Sequence, residues 1–102
     1  NIINNSIDAV SLNGEIEIIT RKKENLVEIT FIDNGHGIKK EHIDKVFEPF
    51  FTTKEPGQGI GLGLYLTYNY IKMHNGDINI ESEEGKGTKV IIEIPFEKNG
   101  YK

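Results

Sequence analysis

The chain of 102 residues contains no cysteine, which excludes a disulfide framework and a thiolate zinc site. It has no basic excess either. Twelve Lys and Arg stand against sixteen Asp and Glu, a net charge of −4, which argues against a surface built to grip nucleic acid or anionic lipid. No apolar run approaches the roughly 20 residues that a membrane helix needs, and no signal peptide is visible, so the cytoplasm is the expected compartment. Two phosphate-binding signatures are missing as well. After Gly35 and Gly37, and again after Gly61 and Gly63, the final glycine of a Gly-x-Gly-x-x-Gly fingerprint is replaced by Lys40 and Leu66. Gly85-Lys86-Gly87-Thr88 lacks the upstream glycine of a P-loop. His36, His42 and His74 have no metal-motif spacing.

What is abundant is glycine, with eleven residues, six of them between Gly35 and Gly63. The length suits one small domain with one core. The chain opens on Asn1 within a helical pattern, as expected for a piece of a longer protein.

Residues 1–12 read as a helix ended by Asn13-Gly14, with Ile3, Ile7 and Val10 as its apolar stripe and Asn1, Asn5 and Asp8 as a polar one. Ser6 falls on the flank of the polar stripe, where alanine should be tolerated. Glu15–Thr20 and Leu26–Asp33 alternate as two strands of a hairpin, with Ile16 and Ile18, then Val27, Ile29 and Phe31, each on one side. Asp33-Asn34-Gly35-His36-Gly37 has strong turn chemistry. A short helix over Glu41–Phe47 is stopped by Pro49, and Phe50–Gly59 reads as a loop. A second long helix starts near Gly61 or Leu62, carries Leu64, Tyr68 and Ile71 on one stripe, and ends at His74-Asn75-Gly76. Strands over Asp77–Ser82 (Ile78 and Ile80 inward) and Thr88–Ile94 (Val90, Ile92 and Ile94 inward) follow, with a polar tail over residues 97–102. Three helical segments on one face of a four-stranded sheet make a two-layer α+β sandwich.

Two loops could carry chemistry. Gly57-Gln58-Gly59-Ile60-Gly61-Leu62-Gly63-Leu64 runs into an apolar helix. Backbone without Cβ atoms can bring several N–H groups up to an anion, and the helix N-terminus adds partial positive charge, which suits a polyphosphate. A plain linker is the alternative. At the end of a strand, Asp33 can accept a hydrogen bond from an exocyclic amine such as that of adenine, or it can simply cap an Asx turn.

Taken in order, five segments narrow the choice. Asn1 to Ala9 reads N-x-x-x-N-S-x-D-A, Asp33 to Gly37 reads D-x-G-x-G, and Phe47 to Lys54 reads F-E-P-F-F-T-T-K. Gly57 to Leu64 reads G-x-G-x-G-L-G-L, and Gly85 to Thr88 reads G-x-G-T. This series resembles the asparagine, first glycine, phenylalanine, second glycine and third glycine boxes of the ATP-binding catalytic domain of bacterial sensor histidine kinases. It is closest to the nitrogen-regulator and sporulation-kinase branch of the gyrase, Hsp90, histidine kinase and MutL superfamily. The resemblance implies a Bergerat-type fold over residues 1–96, with a mixed sheet, shortened at its N-terminal side.

The same resemblance implies the ligands and roles. ATP is the nucleotide, and Mg²⁺ is held by Asn5. Asp33 reads the adenine amine with Gly35 and Gly37 beside the ring and Thr88 nearby. Gly59, Gly61, Leu62 and Gly63 surround the phosphates, and Lys54 is a basic group near the terminal ones, so Asn5 and Lys54 are the catalytic candidates. Phe47, Phe50 and Phe51 root a short lid over Thr52–Ile60. The implied reaction moves the γ-phosphoryl group to a histidine on a separate dimerisation domain and then to a response regulator, with no nucleic-acid partner and no direct membrane contact. Three rivals remain: a superfamily ATPase, a serine kinase of the anti-sigma type, and a degenerate domain used for protein contacts. The ATPases carry a glutamate base where this chain has Asn1, and an amide cannot take a proton from water. The phenylalanine box argues against the serine kinase.

Overall fold

In a computed structural model, residues 1–10, 13–51 and 63–96 are described. Helix α1 (Ile2–Ala9) leads to strands β1 (Ile16–Lys22) and β2 (Leu26–Asp33). A 3-10 helix (Lys40–Lys45), helix α2 (Gly63–Met73), and strands β3 (Asp77–Glu83) and β4 (Gly87–Pro95) follow. The sheet order is β1-β2-β4-β3.

The alternating strands do what their period of two requires. Register places Ile18, Phe31, Val90 and Ile80 in one row across the sheet, and Ile29, Ile92 and Ile78 in the next. All of these side chains therefore share one face. Ile78, Val90 and Ile92 are buried there with Ile2 from α1, and Ile29, Phe31, Phe47, Leu64, Tyr68 and Ile71 pack against them. The stripe Leu64-Tyr68-Ile71 thus lies on the sheet as its spacing predicts, and the Tyr68 ring meets Phe47 at 5.2 Å between centroids. Helix α2 ends as expected: Asn75 takes a left-handed backbone at φ 62°, and the Gly76 N–H returns to the Ile71 carbonyl at 2.9 Å.

Two expectations are corrected. The sheet is not mixed: every pairing among the described strands is antiparallel. Strands β2 and β3 do run in the same direction, but β4 inserts between them and opposes both, so no parallel neighbours arise.

The second correction concerns α1. Its buried face is Ile2 and Ser6, whereas Ile3 and Ile7 are 44% and 55% exposed. The helix is rotated by about one residue step, roughly 100°, from the orientation that apolarity alone selects. A serine can take a core position because its hydroxyl has a buried partner, described below, which removes the cost of burying it. The helix also stops at Ala9, where Val10 turns extended at ψ 151°.

The expected short helix after the glycine turn is present as a 3-10 helix, over Lys40–Lys45 rather than Glu41–Phe47. It is closed by bonds of the His42 N–H to the Lys39 carbonyl type, at 2.8 Å, the tighter form used for short pieces. No described helix is long and apolar enough to cross a membrane.

Candidate functional site

Asp33 ends β2 on the helix-covered face and is 7% exposed. Both its carboxylate oxygens are held. The Gly35 N–H donates to Oδ1 at 2.9 Å, and the Ser6 hydroxyl donates to Oδ2 at 2.9 Å. The expected Asx turn therefore exists, and it coexists with a second contact from α1. An ionised carboxylate has about four lone-pair positions, so each oxygen keeps room for a further donor.

Thr88 stands directly opposite Asp33 on β4. Ser82 stands opposite Thr88 on β3, with the two hydroxyls 2.9 Å apart. Ser82 also accepts the Ile38 N–H at 2.8 Å. At this sheet end the row across β2, β4 and β3, Asp33-Thr88-Ser82, is thus polar where the rows below it on the same three strands are apolar.

The two glycines after Asp33 are needed for close approach within the chain itself. A Cβ on Gly35 would lie 2.6 Å from the Ala9 carbonyl oxygen, at the end of α1. Gly37 has φ 75°, and a Cβ there would collide with the Glu83 carbonyl oxygen at the end of β3. The loop is consequently clamped from both sides: the His36 N–H donates to the Ala9 carbonyl at 3.0 Å, and the Gly85 N–H donates to the His36 carbonyl at 2.7 Å. Next to it, the Asn34 side-chain oxygen accepts the Glu15 N–H at 2.7 Å and ties the loop to the start of β1.

On the far side of α1, the Asn1 amide donates to the Gly63 carbonyl and to the Thr67 hydroxyl, both at 3.1 Å. It docks the start of α1 on the first turn of α2, which places the end of the second glycine box against the asparagine stripe. Asn5 is half-buried on that stripe, between Asn1 and the Asp33 corner. Phe47 is a core contact. Phe51 meets His42 edge-on at 5.3 Å, and Phe50 is exposed in a left-handed conformation. Lys54, Gly59, Gly61, Leu62 and the expected lid lie outside the described residues. The fold therefore groups Asp33, Gly35, Gly37 and Thr88 at one end of the sheet and sets Gly63 against Asn1, with Asn5 one turn further along the same helix.

Reading the sequence missed two members of this corner, Ser6 and Ser82. Ser82 was recoverable, because the alternation that turns Ile78 and Ile80 inward continues to it. Ser6 shares the face of Ile2 and Ala9 by helical spacing, but nothing local shows that this face wins.

Residues 1–98 match the sequence profile of the histidine kinase-, DNA gyrase B- and HSP90-like ATPases. The chain belongs to this family. Within it, the chain is a catalytic, ATP-binding domain of the sensor histidine kinase type. It is similar to sporulation kinase A of Bacillus subtilis, with 39% identity over 95 residues that make up 93% of this chain and 15% of that protein. It is also similar to the sensor histidine kinase ZraS of Escherichia coli, at 36% identity over 93% of this chain and 20% of that protein. Among solved structures, the catalytic domain of histidine kinase ThkA superposes with a TM-score of 0.78 at 38% identity, covering 92% of this chain and 60% of that one. The chain thus spans a small part of its full-length relatives. The superposition supports the two-layer α+β sandwich as a histidine-kinase catalytic fold.

Proposed function

We propose that residues 1–96 bind ATP with Mg²⁺ and hold the γ-phosphoryl group for transfer to a histidine on a separate dimerisation domain, for relay to a response-regulator aspartate. The observation that carries the reading is the buried Asp33 carboxylate at the sheet end, fixed from two sides with acceptor capacity left over. An adenine amine is a donor of the right kind for it, and Thr88 sits across the strand to contact the same edge. Gly59, Gly61, Leu62 and Gly63, running into α2, would turn backbone N–H groups and a helix N-terminus to the phosphates. Lys54 would neutralise charge on the terminal phosphates.

The residues present suit Mg²⁺. Among the described residues no cluster of three or more carboxylate or imidazole side chains could cage a metal by itself. A single amide oxygen, that of Asn5, fits an ion whose other ligands are phosphates and water. When bound, Mg²⁺ supplies charge neutralisation across the phosphates. In the transfer, the bond between the γ-phosphorus and the bridging oxygen breaks, ADP leaves, and a phosphorus–nitrogen bond forms on the acceptor imidazole, whose proton passes to an acidic residue of the acceptor domain. This chain's part is to bind, orient and screen.

Asn1 speaks against the ATPase reading, since an amide already donating to Gly63 and Thr67 has neither the chemistry nor the freedom of a general base. The compartment proposed is the cytoplasm. Calorimetry with ATP, ADP and GTP, with and without Mg²⁺, tests the reading. Selective binding of the adenine nucleotides is expected, tighter with Mg²⁺ for ATP; no binding under any condition refutes it.

A further inference from the structure

From the Ser6–Asp33 contact, we infer that Ser6 is a positioning residue that sets the preference for an amino-bearing purine. The inference rests on the adenine reading of Asp33 and goes beyond it. Ser6 is 5% exposed, and its hydroxyl donates to Asp33 Oδ2 at 2.9 Å. That contact has two consequences. The first is orientation. With Oδ1 on the Gly35 N–H and Oδ2 on Ser6, the carboxylate plane is fixed by partners on two different elements. The second is polarity. A serine hydroxyl has one proton and two lone pairs. Once the proton is committed to Asp33, everything the pair offers a ligand is an acceptor. An exocyclic amine is then welcome, and a carbonyl oxygen at the same ring position meets lone pairs only. Discrimination of this kind comes from leaving the wrong ligand's polar groups unpaired.

Without Ser6, Oδ2 loses its buried donor. The carboxylate is then held on one side only, and water, which can donate as well as accept, can occupy the vacated position. A carbonyl-bearing purine can be served by that water. Ser6 follows Asn5 directly, so the same short helix presents one side chain to the base corner and the previous one to the asparagine stripe.

The test compares affinities for ATP and inosine triphosphate, in which the exocyclic amine is replaced by a carbonyl oxygen, by calorimetry on wild type, Ser6→Ala and Ser6→Thr. Circular dichroism and thermal melting verify the fold. Wild type should prefer ATP, Ser6→Ala should narrow that preference roughly tenfold, and Ser6→Thr, which keeps the hydroxyl, should retain it. A merely structural role lowers both affinities together and leaves their ratio unchanged, so a folded Ser6→Ala protein with the wild-type ratio overturns the inference. Should the alanine variant not fold, Ser6→Cys, close in volume and a weak donor, is expected to narrow the ratio too, and a wild-type ratio there overturns it equally. If the wild type itself binds neither nucleotide or does not distinguish them, the adenine reading fails first and takes this inference with it.

Discussion

Asp33 is the residue on which most depends, because it is a buried carboxylate held by hydrogen bonds from Ser6 and Gly35. Replacing it by alanine removes the acceptor for a base amine and strands the Ser6 hydroxyl and the Gly35 N–H. The strands beneath it keep their apolar rows. Asp33→Ala should therefore remain folded and lose ATP affinity by roughly a hundredfold or more, the scale of losing a charged hydrogen-bond acceptor in a buried site. If the folded variant still prefers ATP over GTP with wild-type affinity in calorimetry, Asp33 does not read the base. Asn5 makes the opposite pattern. It would act through the metal, so Asn5→Ala should weaken Mg²⁺-ATP binding about tenfold while metal-free nucleotide binds almost as before. Equal losses with and without Mg²⁺, measured by titration in buffer containing a chelator, would remove it from the metal.

At the scale of elements, the glycine loop after β2 is held by its neighbours' backbones, and a single Cβ should show this. Alanine at Gly37 has to adopt φ 75° and meets the Glu83 carbonyl. Alanine at Gly85 adopts φ 85° in open space. The left-handed backbone costs about 1–2 kcal/mol in both. Only Gly37→Ala also has to push the β3–β4 turn away, so urea melts should show it losing clearly more stability than Gly85→Ala. Equal losses would mean that the turn gives way freely. These elements also mark how far a sequence can be read. The strands were legible since alternation is local: Phe31, Val90 and Ile80 face inward for the same reason in each strand. The ending of α2 was legible because Asn75-Gly76 carries its own stop signal. The rotation of α1 was not, because the partner that lets Ser6 go inside is 27 residues away. Strand direction failed similarly, since only pairing across the chain shows that β4 comes between β2 and β3. For the site, Asp33, Gly35, Gly37 and Thr88 lie together at one end of the sheet, which register and turn chemistry make legible, while the roles the family resemblance implies for them remain part of the proposal. What the boxes do not reveal is that Gly35 and Gly37 are already filled against Ala9 and Glu83, so their first service is to the protein's own packing.

For the whole molecule, the proposed function makes this chain a holder of nucleotide rather than a hydrolase. Water attack on a γ-phosphate needs a base, and the helix position from which the ATPases supply one is Asn1, engaged with α2. His36 has Nδ1 donating to the Gly37 carbonyl at 2.7 Å, inside the loop that would face the base. The chain alone should therefore show negligible ATP hydrolysis and no self-labelling from γ-labelled ATP. Supplying a dimerisation domain in trans should restore labelling, on that domain's histidine. Rapid Mg²⁺-dependent hydrolysis by the chain alone, lost in Asn5→Ala, would favour the ATPase reading instead.

The strand order has a consequence for how such a domain is made. Strand β4 is the last of the described strands to be synthesised, yet it lies inside the sheet, between β2 and β3. While a ribosome is still extending the chain towards Gly87, β2 has one open edge, β3 has no partner, and the row Asp33-Thr88-Ser82 lacks its middle member. Long-range strand pairing of this kind is slow to form and leaves sticky edges exposed until it does. The nascent domain thus passes through a vulnerable stage until β4 emerges, and the arrival of that single strand both seals those edges and creates the place where the base would bind.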